Sequence, residues 1–268
     1  MPIKIPHRAL TAFLLFLFSQ SNYAGQTEIT FAYVGEISHS AYSGLVQGLS
    51  EANLQGHFLG QKYDIEIFSS SSKLPAELEN FVAIVAAVPA NELLLLHEIA
   101  RYIPIFNLTA MDDHLRSACL GNILSIIPSN KMIDDAIKQW QQKQPDAHIV
   151  ASAWHEDFVK FAARDLNKRY RKAFNQGMDQ YAWAGWAAIR MVADTVARES
   201  ITNPVNMLNY LKTNLSFDGQ KGVDMNFRET GQLRQLLLIM ENNELRGEAP
   251  VRGVSSDLDS LGIRECTK

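Results

Sequence analysis

The sequence predicts an α/β chain built around a doubly wound parallel sheet, on three observations. Ile29 to Val34 (ITFAYV) reads as a buried strand, and Phe81 to Val88 (FVAIVAAV) is a continuous apolar run, the pattern of a strand covered on both faces. Between them, Lys62 to Phe68 (KYDIEIF) alternates apolar and polar residues, as a strand with one buried face does. Helical stretches separate these runs, and strands alternating with helices imply βαβ units.

Taken in order, the first strand ends at Gly35, and a loop from Glu36 to Tyr42 leads into a helix over Ser43 to Asn53. Gly44 and Gly48 share one face of that helix. Ser69 to Ser72 reads as a polar loop. Pro89 stops the third strand, Asn91 to Arg101 is helical, and Ile103 to Leu108 (IPIFNL) is a short strand. In the second half, Ser129 is placed to cap a helix from Asn130 to Lys143. His148 to Ala153 is a strand and Glu156 to Lys172 a helix. Asp179 caps a longer helix, Gln180 to Arg198, and Asn203-Pro204 opens another over Val205 to Leu211. Gly222 to Phe227 and Leu233 to Met240 are expected to form an antiparallel hairpin around a turn containing Gly231. Doubly wound sheets place ligands at the carboxyl ends of their strands. Here those loops are Gly35 to Tyr42, Pro89 to Asn91 and Thr109 to Asp113. Gly35 stands alone, so the glycine-rich dinucleotide fingerprint is missing.

The N-terminus has the order of an export signal. Lys4, His7 and Arg8 precede an apolar run, Ala9 to Phe18, and small and polar residues follow to Ala24, the expected cleavage point. The run is shorter than the roughly 20 residues a bilayer span needs; a buried helix is the alternative. Removing 24 residues from 268 leaves 244, enough for one large or two small domains. The removed part holds two of the 25 lysines and arginines and none of the 29 acidic residues, so the mature charge is −6. An acidic chain without a basic patch has no electrostatic attraction for nucleic acid or an anionic membrane. The one basic run, Lys168-Arg169-Tyr170-Arg171-Lys172, ends a helix, where cations favour the dipole and face water.

Few residues carry chemistry. Trp154-His155-Glu156 lies where a strand meets a helix and offers an aromatic face and an imidazole to a ligand. The alternative is that Trp154 is core and His155 a cap. Asp112, Asp113 and His114 are metal-ligand types, but three neighbours in sequence seldom converge on one ion, and a helix N-terminus accounts for them better. Trp183 and Trp186 share a helical face and read as core. No activated nucleophile is recognisable and no cofactor or metal is expected, which argues against an enzyme. Cys119 and Cys266 fit no zinc pattern; an exported chain permits a disulfide between them, and two free thiols is the other possibility.

Three stretches resemble a known family. Gly44 to Ile67, Asp179 to Ala193 (DQYAWAGWAAIRMVA) and above all Phe217 to Gly231 (FDGQKGVDMNFRETG) are similar to segments of type I periplasmic binding proteins. That group includes the leucine/isoleucine/valine-binding proteins of ABC importers. A narrower resemblance is to a subfamily associated with PQQ-dependent alcohol dehydrogenase systems. It is carried by Asp112 to Arg116, Cys119, Pro128-Ser129, Ser152 to His155, Gly231 to Gln235, Asp257 to Gly262 and Cys266.

The resemblance implies a periplasmic protein that binds a small solute between two lobes and presents it to a membrane permease. The contacts it implies, together with the strand-end loops, are Ser40, Tyr42, Asn91, Thr109, Ala110, Trp154 and His155. It also implies a Cys119–Cys266 disulfide. The first lobe covers residues 27–127 plus 177–213, and the second 128–176 plus 214–248, followed by a tail at 249–268. Two departures stand out. Pro89-Ala90-Asn91 occupies the place where amino-acid binders carry a hydroxyl residue. Only Gln144, Pro145 and Asp146 join the helix at Asn130 to the next strand, so the second α/β lobe is reduced. A clamp shortened in this way leaves room for another role, as an accessory to an exported dehydrogenase.

Overall fold

The computed structural model describes residues 26–267; the expected export signal, residues 1–24, lies outside them. Five parallel strands form the larger sheet: β1 (Thr27–Gly35), β2 (Gln61–Phe68), β3 (Phe81–Ala87), β4 (Ile105–Asn107) and β5 (Ile123–Ser125). Their order is β2-β1-β3-β4-β5, which reverses direction between β1 and β3. β5 was not anticipated from the sequence, and β4 is shorter than the run Ile103 to Leu108.

Both faces of this sheet are buried at its centre, as the unbroken apolar run of β3 requires. Phe31 and Tyr33 of β1 face α1 (Ser40–Leu59), which begins earlier and ends later than the expected Ser43 to Asn53. Ala32 and Val34 face the opposite way, towards Leu93 and Leu96 of α2 (Ala90–Ile99). After β4 come the single-turn α3 (His114–Ser117) and, after β5, α4 (Asn130–Gln141), whose cap Ser129 accepts from the Met132 amide at 3.2 Å.

The smaller sheet is antiparallel, with order β6-β7-β8: β6 (Val150–Ser152), β7 (Leu237–Glu241) and β8 (Glu244–Ala249). The hairpin therefore lies later than expected. It turns at Asn242-Asn243, both in the left-handed region (φ 51° and 64°), as a two-residue hairpin turn demands. Of the expected pairing between Gly222 to Phe227 and Leu233 to Met240, one antiparallel bridge is present, Phe227 with Leu233 across the turn at Arg228 to Gly231; Met225 bridges to Phe217, and Leu237 to Met240 pair with β6 and β8 instead. Ser125 also bridges to Gln232, which fastens this segment to the edge of the larger sheet.

The remaining helices are α5 (Ala163–Phe174), α6 (Gln180–Glu199) and α7 (Pro204–Thr213). α5 starts later than expected because residues 155–162 fold into a loop. The Asn167 amide donates to the carbonyls of His155, Glu156 and Phe158 and holds that loop shut. Asp179 caps α6 through the Ala182 amide at 2.8 Å, and Asn203 caps α7. α1 and α6 pack with their backbones in contact. A Cβ on Gly44 would overlap the Ala182 carbonyl, and one on Gly185 would overlap that of Ala41. β2 is an edge strand, and the Asn53 side chain of α1 bonds both backbone groups of Tyr63 there, at 2.8 and 2.9 Å.

Candidate functional site

A cleft of about 720 Å³ opens at the carboxyl ends of β1, β3 and β4. That is where the strand order reverses and where neighbouring loops leave in opposite directions, the general ligand position of such sheets. Its floor and walls come from Ala87 to Asn91 after β3, Thr109 to Asp112 after β4, His39 before α1, and His114 on α3.

The β4 loop is shaped from beneath. The fully buried Asn107 accepts from the Thr109 and Ala110 amides through Oδ1 (3.2 and 2.9 Å) and donates to the Ala110 carbonyl at 2.7 Å. Arg116, also fully buried, donates to the carbonyls of Ala110, Asp112 and Ile127 and to Gln232 Oε1, at 2.8–3.1 Å. Burial pulls its guanidinium down to about 10, opposed by Asp113 and Asp112, so it remains charged at neutral pH. Thr109 Oγ1 donates to the Val88 carbonyl at 3.1 Å, which leaves its lone pairs for a ligand. Pro89 precedes α2 without a side-chain cap, and the first amides of a helix have no acceptor within it.

Among the described residues no lysine or arginine lines the cleft; its polar side chains are His39, Asn91, Thr109, Asp112 and His114, set among Val88, Pro89, Leu94 and Met111. Such a surface suits a small molecule with an apolar body and hydrogen-bonding groups better than a multiply charged anion. Among the described residues there is no group of three or more potential metal ligands.

Of the residues proposed from sequence, Asn91, Thr109 and Ala110 line this cleft. Ser40 and Tyr42 do not. Ser40 Oγ donates to Asp179 at 2.7 Å, and the Tyr42 ring packs on Tyr33 with centroids 5.2 Å apart. Trp154 and His155 border a second cavity of about 240 Å³ with Asp179, Gln180 and Tyr181. The His39 and Tyr181 rings, edge to face at 5.2 Å, stand between the two spaces. Trp154 corrects the expectation of a ligand-facing ring. It is 1% exposed, stacks flat on Trp183 at 5.7 Å, and donates its indole N–H to Asn167 at 2.9 Å, so its side chain is core. His155 Nδ1 accepts from the Asp157 amide at 3.2 Å. His39, Met111, Asp112 and His114 were not among the proposed contacts, although three of them lie in strand-end loops the sequence had marked.

No family model and no curated protein sequence matches the chain. Solved structures do resemble it. An ABC transporter substrate-binding protein from Desulfitobacterium hafniense superposes with a TM-score of 0.71 at 12% identity, covering 82% of this chain and 99% of that one. A branched-chain amino acid ABC transporter periplasmic ligand-binding protein from Burkholderia xenovorans gives 0.68 at 11%, covering 82% and 95%. A branched-chain amino acid transporter substrate-binding protein from Streptococcus pneumoniae, in complex with isoleucine, gives 0.65 at 10%, covering 84% and 99%. At these identities the likeness establishes the fold, that of the type I periplasmic binding proteins.

Proposed function

We infer that this chain is an exported, non-enzymatic solute-binding protein that holds a small organic molecule in the strand-end cleft and delivers it to an ABC permease. The observation that carries this is the open cleft at the reversal of the sheet, where Asn91, Thr109, His39 and His114 converge around an apolar floor. Binding of this kind needs shape and hydrogen bonds but no activated nucleophile. The fold neighbours are themselves named as substrate-binding proteins, which agrees with the reading. The absence of lysine and arginine from the lining favours a neutral solute or a weak acid.

The link to PQQ-dependent alcohol oxidation rests on the sequence resemblance at Asp112 to Arg116, Ser152 to His155 and the C-terminal segment. It makes small alcohols and their oxidation products the first solutes to try. A role as an accessory to an exported dehydrogenase is the second reading, favoured by Leu54 and Phe58, which stand 68% and 87% exposed on α1.

The test is a thermal-shift screen on chain recovered from the periplasm, whose first residue by mass spectrometry should be Gly25. The panel holds amino acids, small alcohols, small acids, PQQ and metal ions. A ligand at a hundred times its Kd stabilises the native state by about 2.7 kcal/mol, an easily read rise in Tm. Asn91→Ala and Thr109→Ala should both remove the rise; Asn91→Ala should leave the unliganded Tm in place, and Thr109→Ala should lower it slightly through loss of the bond to the Val88 carbonyl. A solute that shifts both variants as it shifts the parent would move the site elsewhere, and silence across the panel would favour the accessory role.

A further inference from the structure

The segment from Val251 to Thr267 has one short 3-10 turn, Leu258–Ser260, and two buried side chains, Val251 and Leu261. It is nevertheless bonded at every stage of its course. At its start the Val251 amide donates to Gln139 Oε1 on α4 at 2.9 Å, and Gln139 Nε2 donates onward to Ser260 Oγ at 3.0 Å. The Gly262 amide reaches Asp135 on the same helix at 2.9 Å. In the middle, Arg228, 3% exposed, donates to Asp259 and to the carbonyls of Leu258 and Leu261, at 2.7–2.9 Å. Arg234 donates to the same Asp259 oxygen at 2.7 Å. At the far end the Thr267 amide donates to the Ser117 carbonyl at 2.9 Å, and Cys266 is joined to Cys119 with Cα atoms 5.6 Å apart.

These contacts belong to two different bodies. α4 packs on all three strands of the smaller sheet, whereas Ser117 and Cys119 belong to the connection between β4 and β5 of the larger one. The far anchor also adjoins the cleft. Ser117 ends α3, the helix that carries His114 into the cleft wall and Arg116 beneath the Ala110 to Asp112 loop. Two anchors on opposite bodies, one of them covalent, give the geometry of a tie and not of a trailing end.

We propose that Val251 to Thr267 is a disulfide-closed strap that holds α4 and the smaller sheet against the larger one and steadies the α3 wall of the cleft. The strap does not depend on the identity of any solute, and its test reads the protein alone. Both cysteines are partly exposed and accessible to a dithiol reagent. Such a reagent supplies two electrons and two protons, leaving thiols at Cys119 and Cys266 and closing into its own cyclic disulfide.

Hydrogen exchange followed by mass spectrometry should compare the oxidised mature chain with the same chain after dithiol reduction. A second comparison uses Arg228→Met, which keeps the bridge but removes the middle of the tie. In both, amides over 109–119 and over α4 should exchange about tenfold faster, while those of β1 and β3 keep their protection. Acceleration confined to 255–267 in both samples would overturn the proposal, because the segment would then be carried passively. So would acceleration spreading into β1 and β3, which would make the segment a general stabiliser and not a local tie.

Discussion

Lys221 gives the sharpest test of the core. Its side chain is fully buried, with Nζ 3.9 Å from the Trp183 ring centroid, and it donates to Gln235 Oε1 at 2.8 Å and the Leu236 carbonyl at 3.1 Å. None of these partners is a carboxylate. Burial therefore holds the ammonium well below the usual lysine range, opposed only by the more distant Glu248. Replacement by Met keeps the volume but leaves two buried acceptors without a donor. At about 1–3 kcal/mol for each orphaned group, the variant should be less stable by roughly 2–6 kcal/mol where lysine is neutral in both states.

The deficit then depends on pH. An unfolded lysine is protonated below about 10.4, whereas the folded Lys221 resists protonation until a lower pH. In that window the unfolded state binds more protons, so the parent loses stability as pH falls and the Met variant does not. The deficit should narrow on going from about pH 9.5 towards 7.5, by up to about 1.4 kcal/mol per pH unit. Staying below pH 10 keeps clear of Tyr33 and Tyr63, whose hydroxyls burial pushes upwards, that of Tyr63 to about 12. Urea unfolding of both proteins, followed by tryptophan fluorescence at several pH values, measures the difference. Parallel stability curves across the range would refute the argument, since they would mean that Lys221 keeps its ordinary proton affinity inside the core.

Two further substitutions test the packing. Trp154→Ala removes a ring that is 1% exposed between Trp183 and Phe158, and should cost about 3–5 kcal/mol in urea unfolding. A loss under 1 kcal/mol would return the ring to the list of ligand contacts. Gly44→Ala drives a methyl group into the Ala182 carbonyl at the α1–α6 crossing, and a loss of about 1–3 kcal/mol or more should appear as a lowered Tm by circular dichroism. An unchanged Tm would mean that the two helices separate without penalty.

Much of the larger sheet was legible because its signals are local. The unbroken apolar run at β3 marks a strand buried on both faces, the largely apolar Ile29 to Val34 marks β1, and Ser129, Asp179 and Asn203 mark helix starts through bonds to amides two or three residues on. Where the signal was tertiary, the sequence misled. β5 has three residues, too few for a period, and is a strand because β4 lies beside it. The hairpin expected within Gly222 to Met240 keeps only its Phe227–Leu233 bridge, because Gly231 and Leu233 also bond to Ser125 at the edge of the larger sheet and Leu237 to Met240 pair with β6 and β8. Trp154 shows the same limit within the site. A tryptophan at a strand end looks alike as a binding surface and as core, and its stacking partner Trp183 comes from a different element. Asn91 and Thr109 could be assigned to one strand-end cleft from the sequence because the ends of parallel strands follow from topology alone.

The bond from Asn53 to Tyr63 bears on how this protein behaves in a crowded compartment. An edge strand offers alternate amides and carbonyls to any extended chain, and a flat apolar edge recruits copies of itself into fibres. Here one side-chain amide takes the place of the missing neighbour at the third residue of β2 and removes the backbone pair around which an added chain would align. Glu66, exposed further along the strand, sets like charges against an identical strand laid antiparallel about it. The sheet is thus closed on that side by chemistry rather than by cover, and α1 can keep Leu54 and Phe58 in water without the adjacent strand drawing in a second copy of the chain.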